Sequence, residues 1–136
     1  PRDGRGFVGA CDAYSNVAHA VQYSAKMNRA AARADGLACV LLAAGGSRRL
    51  GVPKQLLRVQ SAPLLLRAVL AAHAATEGPI VVVLGAHALK LRALLRRHGA
   101  PVRVAHNARW EEGLAASLRV GLSVLPPRKY VLRPDK

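Results

Sequence analysis

Short, continuous apolar runs alternate with helical patterns from Leu37 onward. The runs LACVLLAA (37–44), IVVVLG (80–85) and PVRVAHN (101–107) have the length of strands, and the second is rich in β-branched residues. The first two contain no charged residue, as expected of strands buried on both faces of a parallel sheet. The pattern therefore predicts two buried strands and a third, shorter strand within the last run.

A helical pattern follows each of these runs. PLLLRAVLAAHAAT predicts a helix that begins at Pro63, an allowed first-turn position, and ends before Gly78. HALKLRALLRRHG predicts an amphipathic helix with a basic outer side that ends at Gly99. EEGLAASLRVGLSVL predicts a third helix that ends before Pro126, with acids at its N-terminal end, where the helix dipole favours them. In the second helix, the leucines predicted to face inward are Leu89, Leu91, Leu94 and Leu95.

This alternation predicts an α/β fold, a Rossmann-like doubly wound, mostly parallel sheet with helices on both faces. Ligands of such folds bind beyond the carboxyl ends of the strands. The loop after the first strand, the turn at residues 85–86 and the HNARWEEG loop (106–113) all belong to that edge. They are predicted to converge on one site. Three strands are few for such a sheet, so we expect a domain that is truncated or completed by another chain.

The chain outside this pattern is predicted to be peripheral. Residues 1–36 form an N-terminal extension in this interpretation, with a helix over 16–33. Residues 37–127 form the domain itself, and residues 128–136 are a basic tail with one weak strand over 130–132.

Charge narrows the class of partner. The 136 residues carry a formal net charge of +14, which favours nucleotides or nucleic acid. Asp and Glu are absent between Asp35 and Glu77 and again from Gly78 to Trp110. No apolar run reaches the roughly 18 residues of a transmembrane helix, so no membrane partner is expected. Cys39 lies in an apolar run and is predicted to be a small core residue in a reducing cytoplasm.

The segment VLLAAGGSRRLGVPKQLL (40–57) joins a predicted strand to a Gly-rich, cationic loop. It is not a P-loop, because Val52 and Pro53 occupy the places of Lys and Ser or Thr. Gly45 and Gly46 allow the backbone to approach a ligand closely. Arg49 offers a planar fork of donors to phosphate oxygens, and Lys54 a point charge. The loop is therefore predicted to bind phosphates.

The string LAAGxSxRxGxPKQ resembles the signature of the MobA-like NTP transferases, closest to the molybdenum cofactor cytidylyltransferase type. The run HNARWEEGLAASLRVGL continues in the family's order, so the resemblance covers about residues 38–127, roughly the first half of that family's domain. It implies a nucleotidyltransferase that uses an NTP, with CTP favoured, and a phosphorylated pterin as the acceptor. It also implies Mg²⁺ as cofactor.

The same resemblance assigns roles to individual residues. Arg49 and Lys54 would bind phosphates and act in catalysis. Asn107, Gly113 and Ser117 would line the facing side of the cleft, Asn107 near the nucleotide. Trp110 either stacks on a ring or is a half-buried core residue. The residues whose backbone would contact the base and triphosphate are Leu42, Ala43, Ala44, Gly45 and Gly46.

Some family features are not evident. The carboxylate that the family supplies to Mg²⁺ has no clear counterpart, so the metal ligands are unknown; Asp135 is a candidate because it is the only acid after Glu112. Ser61 and Ala62 stand where family members usually have Gly. The chain alone is therefore expected to be inactive.

Two other functions remain open. The charge of +14 would suit a basic nucleic-acid-binding module, although no aromatic interleaving or known nucleic-acid motif supports it. A non-catalytic remnant that keeps the nucleotide loop is the other alternative. Four histidines show no ligand spacing and are expected to be surface or capping residues: His73, His87, His98 and His106.

Overall fold

The computed structural model describes residues 37–60 and 62–127. The strands are β1 (Cys39–Ala43), β2 (Arg58–Val59), β3 (Ala62–Pro63), β4 (Ile80–Leu84) and β5 (Arg103–His106). The helices are α1 (Leu64–Ala75), α2 (Ala88–Arg97) and α3 (Leu114–Val124), and two 3₁₀ turns cover Lys54–Leu56 and Trp110–Glu112.

Three strands form a parallel sheet in the order β1-β4-β5. The registers place Leu41 beside Val82 and Val82 beside Val104. All five residues of β4 are buried, because this strand has a neighbour at each edge. The predicted parallel α/β sheet is confirmed; β4 is one residue shorter than its apolar run, and β1 and β5 are each three residues shorter than theirs.

Helices cover both faces of this sheet, as predicted. On one face, Val82 and Leu84 pack against α1 and α2 in a cluster that includes Leu66 and Leu91. On the other face, Val81 and Val83 pack with residues of α3. Because side chains alternate along a strand, β4 supplies both cores at once. Each fully buried leucine of these cores contributes about 1.5–3 kcal/mol of transfer free energy.

Helix α3 lies very close to the sheet at Gly121. A Cβ atom on this residue would lie 2.4 Å from Val40 Cγ1 and 2.9 Å from Val83 Cγ2. Leu114, Leu118 and Leu122, four residues apart along α3, form an exposed apolar stripe beside this contact.

Strand β1 pairs with β4 at one edge, and within residues 37–60 and 62–127 its other edge has no partner strand. The β1 side chains are accordingly less buried than those of β4, and Leu42 is 36% exposed. The prediction that this run is buried on both faces is therefore wrong for the described chain.

Cys39, predicted to lie in the core, is half-buried at the start of β1, where burial raises the pKa of its thiol.

Three helix predictions need correction. Pro63 pairs in β3 with an extended backbone, so α1 begins one residue later. Leu89 is 87% exposed, because the buried stripe of α2 runs through Leu91 and Leu95 on the opposite side. The acids Glu111 and Glu112 lie in a 3₁₀ turn and not in α3, since the backbone breaks the helix at residue 113 with a φ of 109°.

Parts of the predicted secondary structure fall elsewhere in the chain. The helix expected over 16–33 and the strand expected over 130–132 lie outside the described residues. The ribbon of β2 and β3 was not predicted, because strands of two residues show no periodicity. In the described part of the chain, no helix is long and apolar enough to cross a membrane.

Candidate functional site

A cavity of about 570 Å³ opens at the carboxyl end of β1. One wall is the loop that leaves this strand, and Leu42, Ala44 and Gly45 line it together with the cations Arg48 and Lys54. The cavity thus lies where ligands of doubly wound sheets bind.

The opposite wall comes from the segment between β5 and α3. Its lining residues are Trp110, Glu111, Gly113, Leu114 and Ser117. Two segments about 60 residues apart in sequence therefore face each other across one space, as predicted, whereas the turn at residues 85–86, predicted to converge on the same site, lines a separate cavity.

Gln55 holds the loop after β1 from beneath. Its buried side-chain amide donates from Nε2 to the carbonyl oxygen of Ala43 at 3.0 Å and to that of Gly45 at 3.3 Å. The backbone N–H of Lys54 also donates to Ser47 Oγ at 3.0 Å. The start of the loop is thus tied to its end, which fixes the backbone that faces the cavity.

Two glycines make room for Trp110 between the walls. A Cβ atom on Gly46 would lie 2.8 Å from Trp110 Cη2, and one on Gly85 would lie 2.6 Å from both Trp110 Cβ and the carbonyl oxygen of Ala44. The ring is half-buried against the sheet and also lines the cavity. The core interpretation of Trp110 is confirmed, and stacking on a ligand stays a prediction.

Asn107 and Ser117 organise the facing wall. Both are buried, and Asn107 Nδ2 donates to Ser117 Oγ at 3.0 Å. Asn107 Oδ1 accepts from the backbone N–H of Arg109 at 3.0 Å, and the backbone N–H of Asn107 donates to Leu84 at 2.8 Å. Asn107 does not line the cavity, so its contact with a nucleotide stays a prediction.

The two cationic side chains that line the cavity differ in their contacts. Arg48 Nη2 lies 2.6 Å from Glu111 Oε1, and its guanidinium lies 5.6 Å from the centre of the Trp110 ring. The Lys54 ammonium has no carboxylate within ion-pair distance among residues 37–60 and 62–127. Arg49 is exposed and does not line this cavity. Its predicted contact with phosphates therefore stays a prediction.

Ala43 and Gly46, both predicted backbone contacts of a nucleotide, lie behind the cavity surface. Ala43 packs into the core on the α1 side, and Gly46 lies beneath Trp110. Leu42, Ala44 and Gly45 line the cavity directly.

The histidines lie mainly at element ends. His87 and His98 flank α2, and His73 lies in the last turn of α1. His87 Nε2 lies 3.1 Å from the carbonyl oxygen of Gly46, and with His106 it lines a separate cavity of about 550 Å³. These positions agree with the prediction of surface or capping residues.

The described residues do not form a Mg²⁺ site. Glu111 is the one carboxylate among the cavity-lining residues given above, and it is engaged by Arg48. Within residues 37–60 and 62–127, no three His, Cys, Asp or Glu side chains are grouped to hold a metal ion. At nucleotide sites Mg²⁺ is usually bound by one or two carboxylates together with water and substrate phosphates, and the single lining carboxylate here is paired with Arg48. Asp135, the predicted candidate ligand, lies outside the described residues.

Four residues of the site were not predicted as such: Arg48, Gln55, Glu111 and Leu114. Gln55 is the last residue of the string LAAGxSxRxGxPKQ, and its place in that string was the available signal. Arg48 differs from Arg49 only by the turn that orients it, so the sequence offered no signal to choose between them.

Comparison with known proteins extends this description. Residues 39–133 match the MobA-like NTP transferase domain. The "Bifunctional IPC transferase and DIPP synthase" of Rubrobacter xylanophilus is 36% identical over 105 residues, which cover 74% of this chain and 24% of that protein. The crystal structure of Rv0371c from Mycobacterium tuberculosis has a TM-score of 0.51 and 37% identity, covering 68% of this chain and 46% of that one. The chain thus spans about a quarter of the first protein and less than half of the second.

The matched residues include all three strands of the sheet and both walls of the cavity. The match therefore covers the site and not only the hydrophobic scaffold. On this evidence, the chain belongs to the MobA-like NTP transferase domain family, as a nucleotidyltransferase-like domain.

Proposed function

We propose that the cavity binds a nucleoside triphosphate, with CTP favoured, and presents it for transfer of the nucleotidyl group. The observation that carries this proposal is the pair of cations, Arg48 and Lys54, on a Gly-rich loop at the carboxyl edge of the sheet. A triphosphate carries up to four negative charges, and the cavity wall supplies donors of both kinds: a planar guanidinium and a compact ammonium.

The reaction requires few covalent steps from the protein. A phosphate oxygen of the acceptor attacks the α-phosphorus of the NTP, the bond from this phosphorus to the bridging oxygen breaks, and pyrophosphate leaves. Catalysis then rests on positioning and on neutralising charge. In this proposal, Lys54 and Arg48 neutralise the phosphate chain, and Gln55 keeps the loop in the shape that receives it.

The acceptor is proposed by its chemistry as a phosphate monoester. A phosphorylated pterin is one such compound, suggested by the resemblance of the loop to the cytidylyltransferase type. The name of the Rubrobacter relative mentions no pterin. A phosphorylated pterin and a phosphate monoester without a pterin therefore need separate tests as acceptors. We expect nucleotide binding without turnover from this chain, since its described residues form no Mg²⁺ site.

Calorimetric titration with CTP, with and without Mg²⁺, tests the nucleotide site. Lys54→Ala removes a cation from the cavity and is expected to weaken CTP binding by about tenfold or more, because a hydrogen bond to a charged group is lost. Lys90→Ala is the matched control, since Lys90 is an exposed lysine on α2 outside this cavity.

Parallel titrations with GTP, ATP and UTP test the base preference. A folded chain that binds no NTP would contradict the proposal. Equal losses in Lys54→Ala and Lys90→Ala would show that binding follows net charge and not the cavity. Tight, salt-sensitive binding of duplex DNA without NTP binding would favour the nucleic-acid alternative instead.

A further inference from the structure

The two walls of the cavity are joined by one ion pair. Arg48 belongs to the loop after β1, and Glu111 belongs to the 3₁₀ turn before α3. Their side chains meet at 2.6 Å between Nη2 and Oε1, and both residues line the cavity. The contact therefore spans the space in which the proposed nucleotide would lie.

Trp110 restricts where Arg48 can lie. The guanidinium lies over the indole ring, at 5.6 Å from its centre, which is within the range of a cation–π interaction. The ring itself is held against Gly46 and Gly85, where a single added carbon would collide with it. The ring thus gives Arg48 a second contact at the cavity, beside Glu111.

The ion pair is open to solvent and easily exchanged. The side chains of Arg48 and Glu111 are 76% and 64% exposed, so water screens their attraction. A phosphate chain offers Arg48 several anionic oxygens in place of one carboxylate. The planar guanidinium can donate to two of these oxygens at once. Glu111, by contrast, repels any phosphate that enters the same cavity.

We infer that Glu111 competes with the nucleotide phosphates for Arg48 and thereby lowers the affinity of the site for nucleotides. The inference rests on the proposed function, because it concerns the same cavity. A phosphate chain that takes Arg48 must first move Glu111 off the guanidinium, and the repulsion from this carboxylate grows with the charge of the chain. Glu111 is thereby a residue whose effect on nucleotide binding is inhibitory.

The test compares two neighbouring glutamates. Glu111→Gln removes the competitor and is expected to tighten binding about three- to tenfold, from the release of Arg48 and the loss of repulsion. Glu112→Gln makes the same change in net charge one residue away, but Glu112 pairs with Arg109 and does not line the cavity. Calorimetry with CMP, CDP and CTP, without Mg²⁺, measures both variants against the unaltered chain.

The expected result is a gain in Glu111→Gln that exceeds the gain in Glu112→Gln. Removing the competitor should help CTP at least as much as CMP, because the repulsion grows with the charge of the phosphate chain, so the CTP-to-CMP affinity ratio should not fall. In Arg48→Gln, the further change Glu111→Gln should bring a smaller gain than it brings in the unaltered chain, since the guanidinium is no longer there to be released.

Other results would overturn the inference in distinguishable ways. Equal effects of the two glutamate variants would show that the pair is a surface contact without a role. Weaker binding in Glu111→Gln would show that the carboxylate assists the bound state. If the unaltered chain binds nucleotides while one of these results is found, the inference about Glu111 fails and the proposed function is unaffected. If the unaltered chain and every variant fail to bind, the inference and the proposed function are both overturned.

Discussion

At the scale of single residues, the site depends on Gln55 more than on any side chain that touches the cavity. This amide is buried, and its Nε2 bridges the carbonyl oxygens of Ala43 and Gly45. Its Oε1 atom is buried without a hydrogen-bond partner among the described residues. Such an unmet acceptor is costly, so the donation to the two carbonyls must be what keeps the side chain in place.

Gln55→Glu tests this role. A carboxylate cannot donate to the two carbonyls and would be a buried charge facing their oxygens, so the free energy of unfolding should fall by about 3 kcal/mol or more at pH 7. Urea denaturation measures the loss. Gln60→Glu makes the same change at an exposed residue beside Arg67 and should be close to neutral. Equal stability of the two variants would contradict the role of Gln55.

At the scale of elements, the close contact of α3 with the sheet determines the position of the cavity wall that carries Ser117. Ser117 is buried on this helix and is held by Asn107, and Gly121 lies one turn further against Val40 and Val83. The helix can approach so closely because residue 121 has no side chain. Any displacement of α3 would therefore move the wall that carries Ser117.

Gly121→Ala should consequently destabilise the protein although alanine is the better helix former. Helix propensity favours alanine by about 1 kcal/mol, but overpacking costs about 1–3 kcal/mol, and here the added carbon meets two valine methyl groups. We expect a net loss of about 1 kcal/mol in chemical denaturation. Ala115→Gly, at an exposed position of the same helix, measures the difference in helix propensity between alanine and glycine with the opposite sign. A more stable Gly121→Ala variant would show that α3 can shift without cost.

Elements of different lengths were predictable to different degrees. The runs behind β1 and β4 are continuous and apolar, so their pairing in a parallel sheet was predictable from the local sequence, whereas the lower burial of β1 was not. Leu89 was misplaced because four leucines in seven residues allow more than one buried stripe. The pair of Arg48 with Glu111 could not be predicted, since it joins residues 63 positions apart and exists only after the sheet has formed.

At the scale of the whole molecule, the apolar surface is unevenly distributed. Leu114, Leu118 and Leu122 form a stripe on α3 with exposures of 72%, 43% and 52%. Leu42 lies on β1, whose outer edge has no partner strand within residues 37–60 and 62–127, and it lines the same cavity as Leu114. The stripe and the strand edge are thus connected, and contiguous apolar surface with an open strand edge favours association between chains.

Leu122→Lys is expected to reduce self-association. The new cation lies near the C-terminal end of α3, where the helix dipole favours it, so stability should change by less than about 0.5 kcal/mol. Sedimentation velocity over a range of concentrations measures the effect. Leu89→Lys is the control, because Leu89 is 87% exposed but lies on α2, away from the stripe. An equal reduction in both variants would show that added charge, and not the stripe, controls association.

The position of Trp110 has a practical consequence. It is the single tryptophan of the chain, so all indole fluorescence comes from the boundary between the two walls. The ring touches the Gly-rich loop on one side and lies under the Arg48 guanidinium on the other. A ligand that draws Arg48 away removes a charge from the face of the fluorophore. The molecule therefore carries its own optical reporter, and occupation of the cavity changes its emission without any added label.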